Sequence, residues 1–581
     1  MLLFFRAKRS LRAVCLVVAV ALALLPIAGC STKEKVDTKY IEEVLTERLS
    51  ALWATVSEDT ALTIPEEGTT VFLSLCDREN RAKVAHATST SLESAWKDAE
   101  SRARKLAKEQ GIVPLWVKAD VVTASGPFTA DEVAEELARV SDKSFRYGLA
   151  LDSEMETAFL EQECNANDIY NYKDDKISAE KISEYLGGEI VVLSDVVLFV
   201  TQGYFCGTDV MVRKLSADEG DFGVRQIAMN QNTAKALCSL GASYLSWQMQ
   251  PDGSFRYGYY AGSGDDLGGY NSLRHMGTIW SLVEAYRLDP SDELATVIDK
   301  AINYAIENYI VYRDDDTAFV KETGLDALNI GGGGLAAIAL STYKDVFQTD
   351  RHDNLLDALG NGILAMSDPE TGKYWHRWSP DFIKADEFIS VYYEGEATFG
   401  LLKLYGQNPR AEYLNMAKKA VDRFILEDYT KYRDHWVAYS VDEITKYVPE
   451  ERYYTFALKN VQHNMGHIRN KDASYHTVTE LLMAGYDTYS RIIKSGAKVG
   501  YLEKFDEDAM FEMVDYRAKL GCASFGFPEV VMYFDAPMEM YGCFFARRDN
   551  FRARIDDTQH FIGGYAQYAK NDLTPMGDDT V

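Results

Sequence analysis

Basic residues are scarce in this 581-residue chain. It has 61 Lys and Arg residues against 89 Asp and Glu residues, which gives a formal charge of −28, and no basic face is visible. A protein that binds nucleic acid needs such a face, so the composition excludes nucleic acid as a partner. Hydrophobic residues make up 47% of the chain and aromatic residues 12%, a composition typical of a globular protein.

Several motifs of known chemistry are also missing. The chain has no Cys-x-x-Cys pair and no Gly-x-Ser-x-Gly of the serine hydrolases. The run GGGG at 331–334 lacks the Lys-Ser/Thr of a phosphate-binding loop. His463 and His467 have the spacing of a metal-binding helix, but HNMGH lacks the glutamate of HExxH. We therefore predict no metal and no cofactor.

An apolar run stands near the N-terminus. No later stretch has the ~18 unbroken apolar residues that a membrane span needs. A basic segment precedes apolar residues 13–25, and IAGC at 27–30 resembles the bacterial lipobox. We predict a signal peptide over 1–29 and a lipid on Cys30, which would anchor the protein outside the cytoplasm to a bacterial membrane. The alternative is an uncleaved membrane anchor. Six cysteines would follow Cys30, and they allow 15 disulfide pairings among which the sequence does not choose.

The rest of the chain changes character near residue 222. Residues 30–58 read as the lipidated cysteine and a tether that leads into a short helix. Residues 59–222 alternate strand-like and helix-like segments, which predicts an α+β domain. From 223 to 581, amphipathic helices alternate with helices that are apolar on all sides, such as EATFGLLKLYG. Because a helix apolar on all sides must be buried, we predict concentric rings of helical hairpins.

This helical part resembles the (α/α)6-toroid proteins of the six-hairpin glycosidase-like superfamily, although no single enzyme family matches. The similarity lies in QMQPDGSFRYGYY (248–260), NSLRHMGTIWSLVEAY (271–286), YYEGEATFGLLKLYG (392–406), RDHWVAYSVDEI (433–444) and RIDDTQHFIGGY (554–565). The resemblance implies an all-α (α/α)6 toroid behind the α+β domain. It also implies that the inner helices point their N-termini at one funnel-shaped mouth, where substrates bind.

Acids, histidines and aromatic residues stand just before the apolar helices. This mixture suits carbohydrate, because carboxylates transfer protons to glycosidic bonds and aromatic rings stack on sugars. The predicted catalytic residues are Glu394, Glu396, Asp434, Asp556 and Asp557, with Glu396 the preferred acid. The predicted substrate-binding residues are Asp252, Asn271, Arg274, His275, Trp375, Tyr393, His435, Trp436 and His560. For each acid, the competing interpretation is a helix cap or first-turn charge.

These features favour an extracytoplasmic enzyme that hydrolyses glycosidic bonds in a polysaccharide or oligosaccharide. A uronate lyase or sugar epimerase on the same toroid is an alternative, with Tyr or His as the base and Arg274 holding the acid group. A non-catalytic protein for polysaccharide binding or envelope assembly is another. A terpenoid cyclase fits poorly, because the acidic run at 314–316 does not match its motifs.

Overall fold

The computed structural model describes residues 37–571 and 573, apart from 130–131, 134, 136–144, 172–175, 189–190, 192, 194, 218–222, 386–387 and 548. The predicted signal peptide and Cys30 lie outside the described residues. No helix within the described part is long and apolar enough to cross a membrane. All six cysteines that it contains are buried free thiols.

A helix longer than the short one expected after the tether occupies most of residues 30–58. This helix, α1 (Thr38–Glu58), begins at Asp37, whose side chain accepts a hydrogen bond from the backbone N–H of Lys39. Leu45, Leu49 and Leu52 are fully buried against the strands that follow. The apolar residues recur every three or four positions, which gives the helix a buried stripe despite its many charges.

The N-terminal part is an antiparallel sheet with helices. Its main strands are β1 (Thr69–Cys76), β2 (Lys83–Ser89), β3 (Trp116–Thr129), β4 (Gly148–Ala150) and β5 (Ala158–Phe159). Shorter strands and the long partner of β3 follow: β6 (Tyr170–Asn171), β7 (Lys176–Ile177), β8 (Asp195–Cys206) and β9 (Val212–Lys214). The order is β2-β1-β3-β8-β4-β5, and β9 also pairs with β8. The helices here are α2 (Leu92–Gln110), α3 (Glu161–Ala166) and α4 (Ala179–Tyr185).

Strand β1 shows how this sheet is covered on both faces. Successive side chains of a strand point to opposite faces. Val71, Leu73 and Leu75 pack with α1 and α2, whereas Phe72 and Cys76 belong to the core shared with the helical part. Every residue of β1 is consequently buried.

The helical part consists of six hairpins that each run from an outer to an inner helix. The outer helices are α5 (Gln231–Trp247), α7 (Asp292–Tyr309), α9 (Asp353–Ala365), α11 (Ala411–Leu426), α13 (Glu451–Asn470) and α15 (Glu507–Gly521). The inner helices are α6 (Ser272–Leu288), α8 (Ile330–Phe347), α10 (Tyr393–Gln407), α12 (His435–Tyr447), α14 (Thr477–Ser495) and α18 (Ile555–Lys570). Each inner helix packs against the next, and α18 packs against α6, so the inner helices form a closed ring.

Burial distinguishes the two kinds of helix as the sequence pattern predicts. Every residue from Ile330 to Tyr343 of α8 is buried, whereas α7 buries a single stripe that includes Ile298, Ala301 and Ala305. Two short helices, α16 (Pro528–Val531) and α17 (Pro537–Met540), lie between α15 and α18. Short strands complete the loops: β10 (Gly258–Tyr260), β11 (Ile310–Asp314), β12 (Thr317–Val320), β13 (Leu328–Asn329), β14 (Ser367–Asp368), β15 (Lys373–Tyr374), β16 (Arg377–Trp378), β17 (Phe545–Ala546) and β18 (Arg552–Arg554).

The sheet docks on the segment around α16. Ser74 Oγ of β1 lies 2.7 Å from the hydroxyl of Tyr533, and the backbone N–H of Ala82 donates to the carbonyl of Met532 at 2.7 Å. Arg225 donates two hydrogen bonds, at 2.7 and 2.5 Å, to the fully buried Glu529. These polar contacts hold the N-terminal part against the segment that connects α15 to α18.

Candidate functional site

The inner helices all begin at one end of the ring, because every hairpin starts with its outer helix and returns through its inner helix. First-turn residues of neighbouring inner helices therefore meet there. Arg274 of α6, for example, reaches Asp556 of α18, with Nε and Oδ2 3.6 Å apart. We call the polar residues gathered at this end the mouth cluster. Its members are Glu396, Asp434, His435, His476, Glu480, Asp556 and His560.

Glu396 and Asp434 are two buried acids from neighbouring inner helices. Glu396 is 5% exposed and Asp434 is 1% exposed. Within the described residues, Glu396 Oε2 and Asp434 Oδ2 have no hydrogen-bond partner. Burial raises the pKa of Glu396 well above its usual range, and the charges of Asp434 and Glu322 add to this effect. Burial likewise raises the pKa of Asp434, even though Oδ1 accepts a hydrogen bond from the backbone N–H of Trp436. Both carboxyl groups therefore keep a proton to a higher pH than a carboxyl group in water does.

Glycines of α8 make room for Glu396. A Cβ atom on Gly331 would overlap Glu396 Oε2, and one on Gly334 would overlap the carbonyl oxygen of Glu396. These glycines allow α8 and α10 to approach each other closely, and they do not form a turn. The GGGG run thus places α8 directly against the first turn of α10.

Glu480 and His560 form a hydrogen-bonded pair between α14 and α18. His560 Nδ1 lies 2.8 Å from Glu480 Oε2, and the hydroxyl of Tyr439 donates to Glu480 Oε1 at 3.0 Å. Burial raises the pKa of the fully buried Glu480, and His560 and Tyr439 offset part of that rise. Burial lowers the pKa of His560, but the charge and hydrogen bond of Glu480 outweigh it, so the pKa of His560 ends above its ordinary value.

Two more imidazoles flank this pair. The ring of His435 stands perpendicular to that of His560, with ring centroids 4.8 Å apart, and the His476 ring is 5.5 Å away. Burial and the neighbouring imidazoles lower the pKa of His435 well below its ordinary value, and burial lowers that of His476 to about 3. His435 and His476 are therefore neutral at physiological pH, whereas His560 holds its proton more tightly.

Asp556 and Asp557 are adjacent in α18 but have different surroundings. Asp557 is buried and accepts two hydrogen bonds from Arg554, at 2.9 and 2.5 Å. Asp556 lies 3.6 Å from Arg274 Nε and 3.6 Å from Arg554 Nε, and 16% of its side chain is exposed. Asp556 also acts electrostatically on His476 and His560. Asp556 therefore belongs to the mouth, whereas Asp557 is engaged by Arg554.

Aromatic rings surround the cluster above and below. The ring centroid of Trp436 lies 5.4 Å from that of Trp280, and Trp436 also packs in tilted geometry with Phe399 and Tyr439. Tyr392 and Tyr475 are about 44% and 40% exposed. The hydroxyl of Tyr392 interacts electrostatically with that of Tyr475. It also interacts with the carboxyl groups of Asp434 and Glu396. Exposed tyrosines beside buried acids are the arrangement that a sugar ring can stack on.

No protein-family model and no curated protein matches this chain. Several solved structures are similar to it. A sugar epimerase from a ruminal bacterium has 14% identity and a TM-score of 0.39, over 48% of this chain and 85% of that chain. A D-mannose isomerase has 13% identity and a TM-score of 0.41, over 59% of this chain and all of that chain. An inactive α-1,6-mannanase variant of Salegentibacter sp., in complex with α-1,6-mannotetrose, has 11% identity and a TM-score of 0.41, over 60% of this chain and all of that chain. Similarity at this level says nothing about the activity of the present chain.

Glu394, two residues before Glu396, points away from the mouth. It forms a buried ion pair with Arg423 of α11, and His376 Nε2 lies 3.3 Å from its other oxygen. Arg423 is also held by the carbonyl of Gly372 and the hydroxyl of Tyr429. The structure thus places Glu394 between an inner and an outer helix.

His275 is likewise enclosed by protein. Its Nδ1 contacts the hydroxyl of Tyr270, and its Nε2 lies 2.8 Å from the carbonyl of Ala301. Burial lowers its pKa to about 4. With both ring nitrogens engaged, His275 links α6 to α7.

Other predicted binding residues serve local structure where the structure places them. Asp252 accepts hydrogen bonds from Ser254 in an exposed turn, and Asn271 caps α6 by accepting from the N–H of Arg274. Trp375 lies under the ammonium group of Lys384, and the buried Tyr393 directs its hydroxyl at Glu322. Of the predicted binding residues, Arg274, His435, Trp436 and His560 lie at the mouth.

Sequence reasoning missed Glu480, which was not among the predicted site residues. Its signal was available, because Glu480 is the fourth residue of an inner helix, as Glu396 is. An acid at this position of an otherwise apolar helix has to face either the mouth or a buried cation. His476 was also left out of the predicted set, although it immediately precedes the same helix.

Proposed function

We propose that the protein is a carbohydrate-active enzyme that hydrolyses a glycosidic bond at the mouth cluster, with Glu396 as general acid. The observation that carries this proposal is the buried, unpartnered Oε2 of Glu396 beside Asp434. Like-charged neighbours out of water keep a proton at neutral pH, which is what a leaving-group oxygen requires.

The second carboxylate in this proposal is Asp556. It is partly exposed at the same mouth, and the contacts with Arg274 and Arg554 fix its orientation. A carboxylate held in this way can accept a proton from an attacking water molecule. Tyr392 and Tyr475 then supply the faces on which the sugar rests.

The decisive experiment compares wild type with Glu396→Gln on a panel of neutral and acidic glycans. We expect kcat to fall by roughly 10²–10⁴-fold in the variant, because general acid catalysis contributes that much. Glu412→Gln, an exposed acid of α11, is the matched control and should retain wild-type turnover. Unchanged turnover in Glu396→Gln would remove the assignment, and glycan binding without turnover by wild type would favour a binding protein.

A second candidate is proton transfer at a sugar carbon, as in an epimerase or uronate lyase. His435 and His560 favour it, because neighbouring imidazoles with opposite pKa shifts can act as base and acid. Reaction in D₂O separates the two functions. An epimerase incorporates deuterium at the carbon that exchanges its proton, a lyase leaves a carbon–carbon double bond there, and hydrolysis leaves carbon-bound hydrogen in place.

We also propose that the mature protein is a lipoprotein held outside the cytoplasm by Cys30. The basic segment, the apolar run and the IAGC sequence support this location. An anchored enzyme of this kind would meet polysaccharide or oligosaccharide at the cell surface.

A further inference from the structure

His435, Glu480 and His560 come from three consecutive inner helices, α12, α14 and α18, and converge at one point. One potential ligand atom from each residue lies within 4.8 Å of the other two. His560 Nδ1 is 2.8 Å from Glu480 Oε2, and His435 Nε2 is 3.7 Å from the same oxygen. Two of the three residues are buried, and His560 is partly exposed toward the mouth.

These separations match the spacing of zinc ligands. Bonds of about 2.0–2.1 Å in a tetrahedral site place neighbouring donor atoms about 3.4 Å apart. The two measured separations lie on either side of that value, so side-chain rotations rather than backbone shifts would bring the atoms to bonding distance. Two imidazole nitrogens and one carboxylate oxygen are also a donor set that zinc uses when it keeps a fourth position open.

An unpartnered buried nitrogen is a second, independent observation at the same place. His435 is 3% exposed, yet its Nε2 has no hydrogen-bond partner among the residues that the structure describes. Burying a polar atom without a partner is costly, so such an atom calls for an explanation. A cation between His435 and Glu480 would satisfy this nitrogen.

Outer contacts hold the three ligands in place. The hydroxyl of Tyr439 donates to Glu480 Oε1, which leaves Oε2 for the ion. Asp434 Oδ1 lies 3.8 Å from His435 Nδ1, on the side of the ring opposite Nε2. A Cβ atom on Gly563 would overlap Glu480 Oε1, so this glycine makes room for the carboxylate. Carboxylates and hydroxyls behind metal ligands typically set ligand orientation in this way.

We propose that His435, Glu480 and His560 bind one zinc ion at the mouth of the helical ring. The site goes beyond the proposed hydrolysis and does not depend on it, since Glu396 is not among the ligands. A bound ion would occupy the imidazole nitrogens that proton transfer at carbon requires, so it argues against that second candidate.

The test begins with purified wild-type protein stripped with a chelator and titrated with ZnCl₂ by calorimetry. We expect one ion per chain, a rise in Tm by mass action and, after loading with Co²⁺, visible absorption bands of a tetrahedral site. Wild-type protein with ¹⁵N-labelled histidine should show ring-nitrogen shifts for two histidines on adding zinc. This measurement needs no variant.

Variants identify the ligands. Glu480→Gln and His560→Gln should each weaken zinc binding by at least about 100-fold, because loss of an outer-shell partner alone costs 10–100-fold. The control is the double change of His463 and His467 to Ala, which removes the sequence's other histidine pair and should leave affinity unchanged. Glu396→Gln should also keep the metal, so failure of the zinc site and failure of the hydrolase proposal give different results. Absence of stoichiometric binding, or loss of binding in the control alone, would overturn the proposal.

Discussion

An α-helix turns by about 100° per residue, so Glu394 and Glu396 leave the first turn of α10 about 200° apart. The sequence therefore indicates that at most one of them enters the mouth. In the structure, Glu396 lies at the mouth, whereas Glu394 forms an ion pair with Arg423. The two acids thus have different roles: Glu396 is proposed to be catalytic, and Glu394 is structural.

Replacing Glu394 should cost stability rather than chemistry. In Glu394→Gln, Arg423 loses its buried charged partner and keeps only the more exposed Glu427, and we expect the free energy of unfolding to fall by about 3 kcal/mol. Urea denaturation measures the loss. Glu412→Gln, on the exposed face of α11, is the control and should unfold at the same urea concentration as wild type. A stable but inactive Glu394→Gln would instead put this acid in the chemistry.

The sequence could predict which loops supply the mouth but not which side chains face it. Asp556 and Asp557 are consecutive, and both precede the same apolar helix. The position of Arg554 in β18, paired with β10, decides that Asp557 receives two hydrogen bonds while Asp556 stays 3.6 Å from the same guanidinium group. The pairing of β18 with β10 joins distant parts of the chain, so the local sequence pattern does not reveal it.

At the scale of elements, close packing of α8 on α10 rests on single glycines. Gly334→Ala would force a methyl group into the backbone of Glu396, and we expect a loss of about 2 kcal/mol despite the better helix propensity of alanine. In Gly333→Ala, the nearest atom to the new methyl group is 3.6 Å away, on the side chain of Ile363. This variant should gain up to about 1 kcal/mol. Thermal unfolding of the pair gives the comparison, and equal Tm values would show that α8 and α10 can move apart.

Helices were easier to predict than the elements between them. The helix α8 is buried on all sides over 330–343 and is apolar throughout, whereas α7 is buried on one side and carries one apolar stripe. The alternation of inner and outer helices is therefore visible in the sequence. The helix after the tether begins earlier than expected, at Thr38, because the many charges of α1 hide a buried leucine stripe. The long strand β8 pairs with β3 along its whole length. That pairing spans about 80 residues of sequence and depends on the sheet as a whole.

At the scale of the whole molecule, buried acids make stability depend on pH. Glu163 of α3 is 4% exposed and accepts hydrogen bonds from Tyr185 and the N–H of Leu160. Burial raises its pKa from 4.5 to about 7. The folded state therefore holds a proton that the unfolded state has lost, and stability falls as pH rises through 7.

We expect wild type to lose about 2 kcal/mol of unfolding free energy between about pH 5.5 and 8 relative to Glu163→Gln. Denaturant titrations at several pH values measure this difference. Glu180→Gln, an exposed acid of nearby α4, is the control and should follow the wild-type curve. Parallel curves for wild type and Glu163→Gln would mean that Glu163 does not titrate in this range.

The predicted lipid anchor concerns the location of the whole molecule. In a bacterial host, wild type should incorporate labelled palmitate and sediment with membranes, whereas Cys30→Ala should do neither, since the acceptor thiol is missing. Cys15→Ala lies inside the predicted signal peptide and should behave as wild type. Membrane retention of unlabelled Cys30→Ala would instead favour an uncleaved anchor.

The closure of the ring by α18 has a consequence for the order of synthesis. Asp556 and His560 both belong to this helix, and it packs against α5 and α6, which are made more than 260 residues earlier. A nascent chain can pair its early hairpins one after another, but it has no complete mouth until residues 555–570 have emerged and docked. The proposed site is therefore complete only after α18 has been synthesised and has docked. A product that ends before α18 should have no activity rather than partial activity.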